Sequence, residues 1–121
     1  MSVDDHNGRD LSRCRLYDLD LRGKNFAGAN LDRADLTASD LRGANLRGAN
    51  LYAAFLTGAQ LDQADLREAR LDGAYLIATE FLSARMEGAT LVGATWDQAT
   101  KWPTNFRPPK SDVGLWHGRR N

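Results

Sequence analysis

Cysteine, histidine and proline are scarce in this chain of 121 residues, and each shortage removes a class of answer. Cys14 stands alone, so no disulfide can form within the chain, and a reducing cytoplasm is the expected compartment. The only histidines, His6 and His117, lie near opposite ends, which leaves no Ser-His-Asp set and no metal-ligand cluster in the sequence. Phosphate-binding and dinucleotide-binding glycine loops are missing as well, and so is the GGxGxD repeat of calcium-binding solenoids. No apolar run approaches the roughly 20 residues of a membrane-spanning helix, and the opening Met1–His6 is acidic and polar, unlike a secretory leader. Net charge is lacking too: 16 Lys and Arg balance 16 Asp and Glu, unlike a polyanion or a strongly basic nucleic-acid binder. The expectation is a non-enzymatic protein with no catalytic residue, cofactor, metal or membrane segment.

The chain is rich in one thing, a period of five. From Leu16 to Trp96 a bulky apolar centre recurs at every fifth position, 17 in all, without a slip in register. Thirteen are Leu, and Phe26, Phe81, Met86 and Trp96 complete the row. Two residues before each centre, Ala occurs in 12 of 17 repeats, with Cys14, Leu19, Lys24, Ser39 and Thr79 as the exceptions. A five-residue period suits no straight element. On an α-helix, successive centres rotate by roughly 140° and form no stripe. On a strand, five steps send alternate centres to opposite faces. The centre and the small residue two before it do share a strand face. The chain therefore takes a short extended step and turns, once per repeat. Turning always in one sense winds a solenoid with both rows on its inside.

Units such as Ala29-Asn30-Leu31-Asp32-Arg33, Ala34-Asp35-Leu36-Thr37-Ala38 and Ala44-Asn45-Leu46-Arg47-Gly48 resemble the pentapeptide-repeat family, A(D/N)LXX. The resemblance implies an all-β fold, the right-handed quadrilateral β-helix, with four repeats per coil. This chain would make a little over four coils, a tower roughly 20 Å tall at the spacing of paired strands. Residues 1–13 are expected to be a flexible segment, disordered over 1–8, with Leu11 as a lid over the first coil. Residues 14–98 are expected to form the β-helix. Residues 99–121 are expected to be a C-terminal cap and basic tail. The stretch Thr100–Pro109 resembles the closing segment of such repeats, in which Trp102 and Phe106 would cover the apolar hole and prolines would stop the ladder. Leu115 and Trp116 could pack back on it. Lys24, charged at an inward position, would run its stem over apolar surface and its head out of the open end.

Four repeats per coil would stack residues twenty apart. Phe55, Tyr75 and Ile77 then become neighbours on one outer wall, with Leu82 round the next corner. Clustered exposed apolar side chains favour an interface. Asp20 over Asp40 could be read as a paired acid or cation site, but cross-strand salt bridging by Arg22 and Arg42 is the expected role. Asn25 over Asn45 and Asn30 over Asn50 are expected to be turn residues and amide ladders. Thr37 over Thr57 is too small an array for ice binding. Residues 14–98 carry nine basic and twelve acidic side chains, about −3, whereas 99–121 carry five and one, about +4. The expected function is binding of a protein partner, or of a second copy, through the Phe55–Leu82 wall. The alternative, implied by resemblance alone, is a DNA-mimicking protein bound to a type II topoisomerase such as gyrase. The short, weakly charged tower and its basic tail count against it. Nucleic-acid binding by Lys101, Arg107, Lys110, Arg119 and Arg120 is likewise weaker than a solubilising role.

Overall fold

A computed structural model of the protein describes residues 5–111. No helix occurs among them. Parallel β-bridges join residues twenty apart in four vertical columns. The first wall stacks Arg15, Asp35, Phe55, Tyr75 and Thr95; the second stacks Asp20, Asp40, Gln60, Glu80 and Lys101. The third runs Asp5, Asn25, Asn45, Asp65 and Arg85, and the fourth Asp10, Asn30, Asn50, Arg70 and Thr90. Each extended step is so short that a single residue pairs per wall.

One repeat shows how the backbone is satisfied. The N–H of Leu46 donates to Asp65 in the coil above at 2.7 Å, and that of Asn45 donates to Lys24 in the coil below at 2.9 Å. Gly48 N–H donates upward to Arg67 at 2.9 Å, and the corner closes by a bond of 3.0 Å from Ala49 N–H to Leu46 C=O. The third residue of such a corner has positive φ, as in a type II turn. Corner residues from Gly8 to Gly93 adopt it at every fifth position, with Ser83 the exception. Some are glycines, such as Gly43 at 72°; others are not, such as Ala38 at 60°.

The interior is the two predicted rows. The Leu centres from Leu31 to Leu76 are fully buried, and so are Ala34, Ala44, Ala54, Ala59, Ala64 and Ala74. Ser39 and Thr79 replace Ala on the inside of the second wall because a hydroxyl there finds a carbonyl in the coil below. Thr79 Oγ1 donates to Leu56 C=O at 2.7 Å, and Ser39 Oγ donates to Leu16 C=O. Thr100 Oγ1 repeats the arrangement with Leu76 C=O at 2.8 Å.

The structure corrects several sequence expectations. The ladder begins at Asp5, ahead of residue 14, because Asp5 pairs with Asn25 and Asp10 with Asn30. Residues 5–8 are therefore part of the tower, while 1–4 lie outside the described residues. Leu11 is no lid: it packs as a centre of the fourth wall, its N–H bonded to Asn30 C=O at 2.7 Å. His6 occupies a centre too, its ring stacked on Phe26 at 5.1 Å. An imidazole at one centre, and Arg9 at the small position before Leu11, hid these two repeats from a search for Leu and Ala. Leu19, expected inside, is 41% exposed, since it lies in the first coil of the described residues. Near the top, Glu80 pairs with Lys101 rather than with Thr100, so one extra residue enters the last coil. Asp97 builds that longer corner: Oδ1 accepts the N–H groups of Ala78 and Ala99 at 3.2 and 3.1 Å, and Thr100 turns inward.

Two predictions follow from this packing. Leu46→Ala or Leu66→Ala removes a fully buried side chain from a middle coil and lowers unfolding stability by about 2–5 kcal/mol, whereas Thr57→Ala stays within about 0.5 kcal/mol. Equal losses in urea unfolding would mean that the inside is wrongly assigned. Ala38→Gly relieves a positive-φ alanine and stabilises by about 1 kcal/mol, while Gly43→Ala, with open space around the new Cβ, destabilises by about 1 kcal/mol. Shifts of the same sign in thermal melts would refute the corner geometry.

Candidate functional site

The outer surface is ordered by the same corners. The Asp or Asn before each centre turns one carboxylate or amide oxygen onto the backbone N–H two residues on, an Asx turn. Asn25 caps Ala27 at 3.0 Å, Asp35 caps Thr37 at 3.1 Å and Asn50 caps Tyr52 at 3.1 Å. Glu80 and Thr90 occupy this position without capping. There the N–H groups of Leu82 and Val92 are taken by Asp62 at 2.7 Å and Asp72 at 2.8 Å, one coil below. Asn50 Nδ2 also donates to Asn30 Oδ1 at 3.3 Å, so that pair forms the expected amide ladder.

Asp20 and Asp40 are ion-paired by the two expected arginines, but chiefly within one repeat rather than across strands. Arg22 grips Asp20 with two bonds of 2.8 Å, and Arg42 grips Asp40 at 2.8 and 2.6 Å. The pairing is mainly within each repeat; between coils, Arg22 reaches Asp40 at 3.8 Å. These side-chain bonds hold both carboxyls below the ordinary range, with the arginine backbone N–H adding to the effect. Lys24 is half-buried and adds its field at Asp20. Among the described residues, no three His, Cys, Asp or Glu converge to hold a metal ion, and no helix is long and apolar enough to cross a membrane.

The first wall carries the aromatic feature. Phe55 and Tyr75 stack with centroids 4.8 Å apart and planes 4° from parallel, and each is 41% exposed. Ile77 stands beside them but is half-buried, less open than expected. Leu82 is exposed on the second wall, beyond the corner, rather than in the stack. Tyr52 was missed by sequence reasoning. It lies at the corner leading to Phe55, with the Arg33 guanidinium 5.3 Å above its ring. Val92, also missed, is exposed forty residues further on in the same column. Stacking both at twenty-residue spacing was the signal that could have found them.

At the top, Trp102 stacks on Phe81 at 5.0 Å and Phe106 on Trp102 at 5.3 Å, while Trp96 meets Trp102 edge-on at 5.7 Å. Trp96 Nε1 donates to Pro109 C=O at 2.9 Å, and its N–H donates to Ser111 Oγ at 2.7 Å. An open cleft of about 520 Å³ lies between Met86–Ala89 and Pro103–Phe106; Glu87 is the one titratable group lining it. Lys101, Arg107 and Lys110 are exposed; Leu115, Trp116, Arg119 and Arg120 lie outside the described residues.

Asp65 offers a test of the ion pairs. Arg67 bonds to it at 2.9 and 2.6 Å, and chiefly for that reason its pKa falls from 3.8 to about 2. A carboxyl with a lowered folded pKa stabilises above its unfolded value, and that contribution is lost as pH falls from about 4 to about 2. Asp65→Asn keeps an oxygen to cap Arg67 N–H but removes the charge. We expect the mutant to show a shallower fall in unfolding midpoint across that window; identical pH profiles would show that the pair adds nothing.

The sequence profile of pentapeptide repeats matches residues 10–48, 29–67, 44–81 and 59–95, in eight copies. The chain is similar to the crystal structure of HetL, a pentapeptide repeat protein involved in heterocyst differentiation regulation in the cyanobacterium Nostoc sp. strain PCC 7120. The two share 31% identity over 78% of this chain and 52% of HetL, with a TM-score of 0.59. The chain thus spans about half of HetL's length. It is also similar to alr5209, a pentapeptide repeat protein from Nostoc PCC 7120, at 36% identity over 86% of this chain and 78% of that one, with a TM-score of 0.43. A form of QnrB1, a plasmid-mediated fluoroquinolone resistance protein, shares 21% identity over 81% of this chain and 65% of its own, with a TM-score of 0.33. No curated protein matches the chain. The profile match, over more than half of the chain, and the likeness to HetL agree with the twenty-residue ladder, and the chain belongs to the pentapeptide-repeat family.

Proposed function

We propose that this protein is a non-enzymatic, cytoplasmic interaction module that binds a protein partner through its first wall. Its tower is the right-handed quadrilateral β-helix of the family, nearly five coils tall from Asp5 to Lys101 rather than the little over four expected from residues 14–98, and Trp102 and Phe106 are its C-terminal cap. Phe55 and Tyr75 anchor the contact, Ile77 flanks them, and Leu82 extends it round the corner. The observation that carries this reading is the exposed, nearly parallel stack of Phe55 and Tyr75. Aromatic side chains are favoured interface anchors, and a ring held by its neighbour loses little freedom on binding. A narrow interior filled by Leu and Ala leaves no room for a substrate. The alternative, topoisomerase binding, is disfavoured by the weak charge of residues 14–98 and the basic residues after them.

Affinity capture with the native chain, repeated with Phe55→Asp and Tyr75→Asp together, tests the reading. The expected outcome is a retained protein that the double mutant loses while its thermal unfolding stays unchanged. An identical set of captured proteins would remove the wall from function.

A further inference from the structure

The carboxylates around the aromatic stack say what kind of partner it suits. Asp35 lies directly below Phe55 in the same column, and the two are bridged. Asp97 stands above Ile77, held by Ala78 N–H at 3.2 Å. Glu80 follows round the corner, in the coil of Tyr75. None of the three takes part in an ion pair among the described residues. Elsewhere on the tower the pattern differs: Asp20, Asp40 and Asp65 are each gripped by an arginine two residues on. Asp35 has Thr37 at that place, Glu80 has Leu82 and Asp97 has Ala99, so these half-buried acids have no arginine in their own repeat to grip them. Arg15, one rung below Asp35, and Lys101, stacked over Glu80, are the basic residues bridged to these acids, and neither makes an ion pair with them.

Resting on the interaction reading above, we propose that the first wall docks a cationic segment of a different protein. An aliphatic or aromatic side chain of that segment lies against Phe55 and Tyr75, and Lys or Arg side chains reach Asp35, Glu80 and Asp97. A planar guanidinium suits this surface doubly, since it can pair with a carboxylate and lie on an aromatic face. A second copy fits poorly. A two-fold axis through the stack would bring the carboxylates of the two copies into one interface, and like charges across an interface oppose association.

Two synthetic peptides with the same leucine and tryptophan content, one carrying lysine and arginine and the other glutamate, provide the probe. Each is titrated into the full-length, isotope-labelled chain while backbone amide shifts are followed. The cationic peptide is expected to shift the amides of Phe55, Tyr75 and Ile77, and to bind roughly fivefold more weakly to Asp35→Asn/Glu80→Gln. Asn at position 35 still caps Thr37, and an unchanged unfolding midpoint confirms the fold. Binding should also weaken as salt rises. Equal binding of the glutamate peptide at these residues, or indifference to the double substitution, overturns the cationic partner while leaving the wall as an interface. A concentration-dependent dimer in sedimentation, lost in Tyr75→Asp, overturns it in favour of a second copy. Failure of both peptides to shift these amides overturns the cationic partner; whether the wall is an interface at all then rests on the capture experiment.

Discussion

A chain that turns every five residues must satisfy its backbone at every corner, and the rest of this tower depends on how it does so. Three devices recur. A carbonyl-to-amide bond closes the corner, a positive-φ residue reverses it, and the side chain of Asp or Asn holds the entering N–H. The middle device is unfavourable for most residues, because an L side chain in the left-handed region crowds its own carbonyl. The chain nevertheless places Arg13, Asp18, Arg33, Gln63 and Glu68 there. The ladder bonds to neighbouring coils and the burial of the Leu centre offset that strain in every repeat. A single repeat could not hold such a corner; stacked coils hold it together, as in other solenoids.

The parts of the fold legible in the sequence are those where one residue type answers one constraint. Only a bulky apolar side chain fills the axis, so Leu marks the centres; only a small one lets the walls approach, so Ala marks the paired row. Where two chemistries serve the same need, the text becomes ambiguous. His6 fills a centre by stacking on Phe26, and Thr79 fills the small row by bonding to a carbonyl below; neither announces this in sequence. The extra residue before Lys101 was illegible for another reason. It depends on one carboxylate, that of Asp97, bonding three groups at once, and no local pattern encodes that convergence. The candidate site was half legible. The twenty-residue stack brought Phe55 to Tyr75, but how far Ile77 sinks into the wall, and how far Leu82 lies from the stack, depend on the corner between them.

The vertical stacking that makes the core also makes the surface. Any outward residue meets its counterpart twenty positions away at the spacing of paired strands, so side chains of like kind form columns. An amide over an amide gains a hydrogen bond, as Asn30 and Asn50 do. A carboxylate over a carboxylate loses energy unless a cation is near, which is why Arg22 lies within 3.8 Å of Asp40 as well as on its own Asp20. An aromatic over an aromatic gains a stack but leaves ring edges in water. Of these three, only the last leaves an unmet preference at the surface.

That asymmetry is the physical argument for placing function on the first wall. Polar columns are satisfied by their own neighbours and by solvent. The Phe55–Tyr75 column is satisfied internally along the stack but not outward, and Asp35, Glu80 and Asp97 around it make no ion pair among the described residues, unlike Asp20, Asp40 and Asp65. Both unmet preferences, apolar contact and positive charge, can be answered at once by a partner that supplies both. The wall is held by backbone bonds above and below, so a partner would meet side chains already ordered, and little of the binding energy would be spent on arranging them.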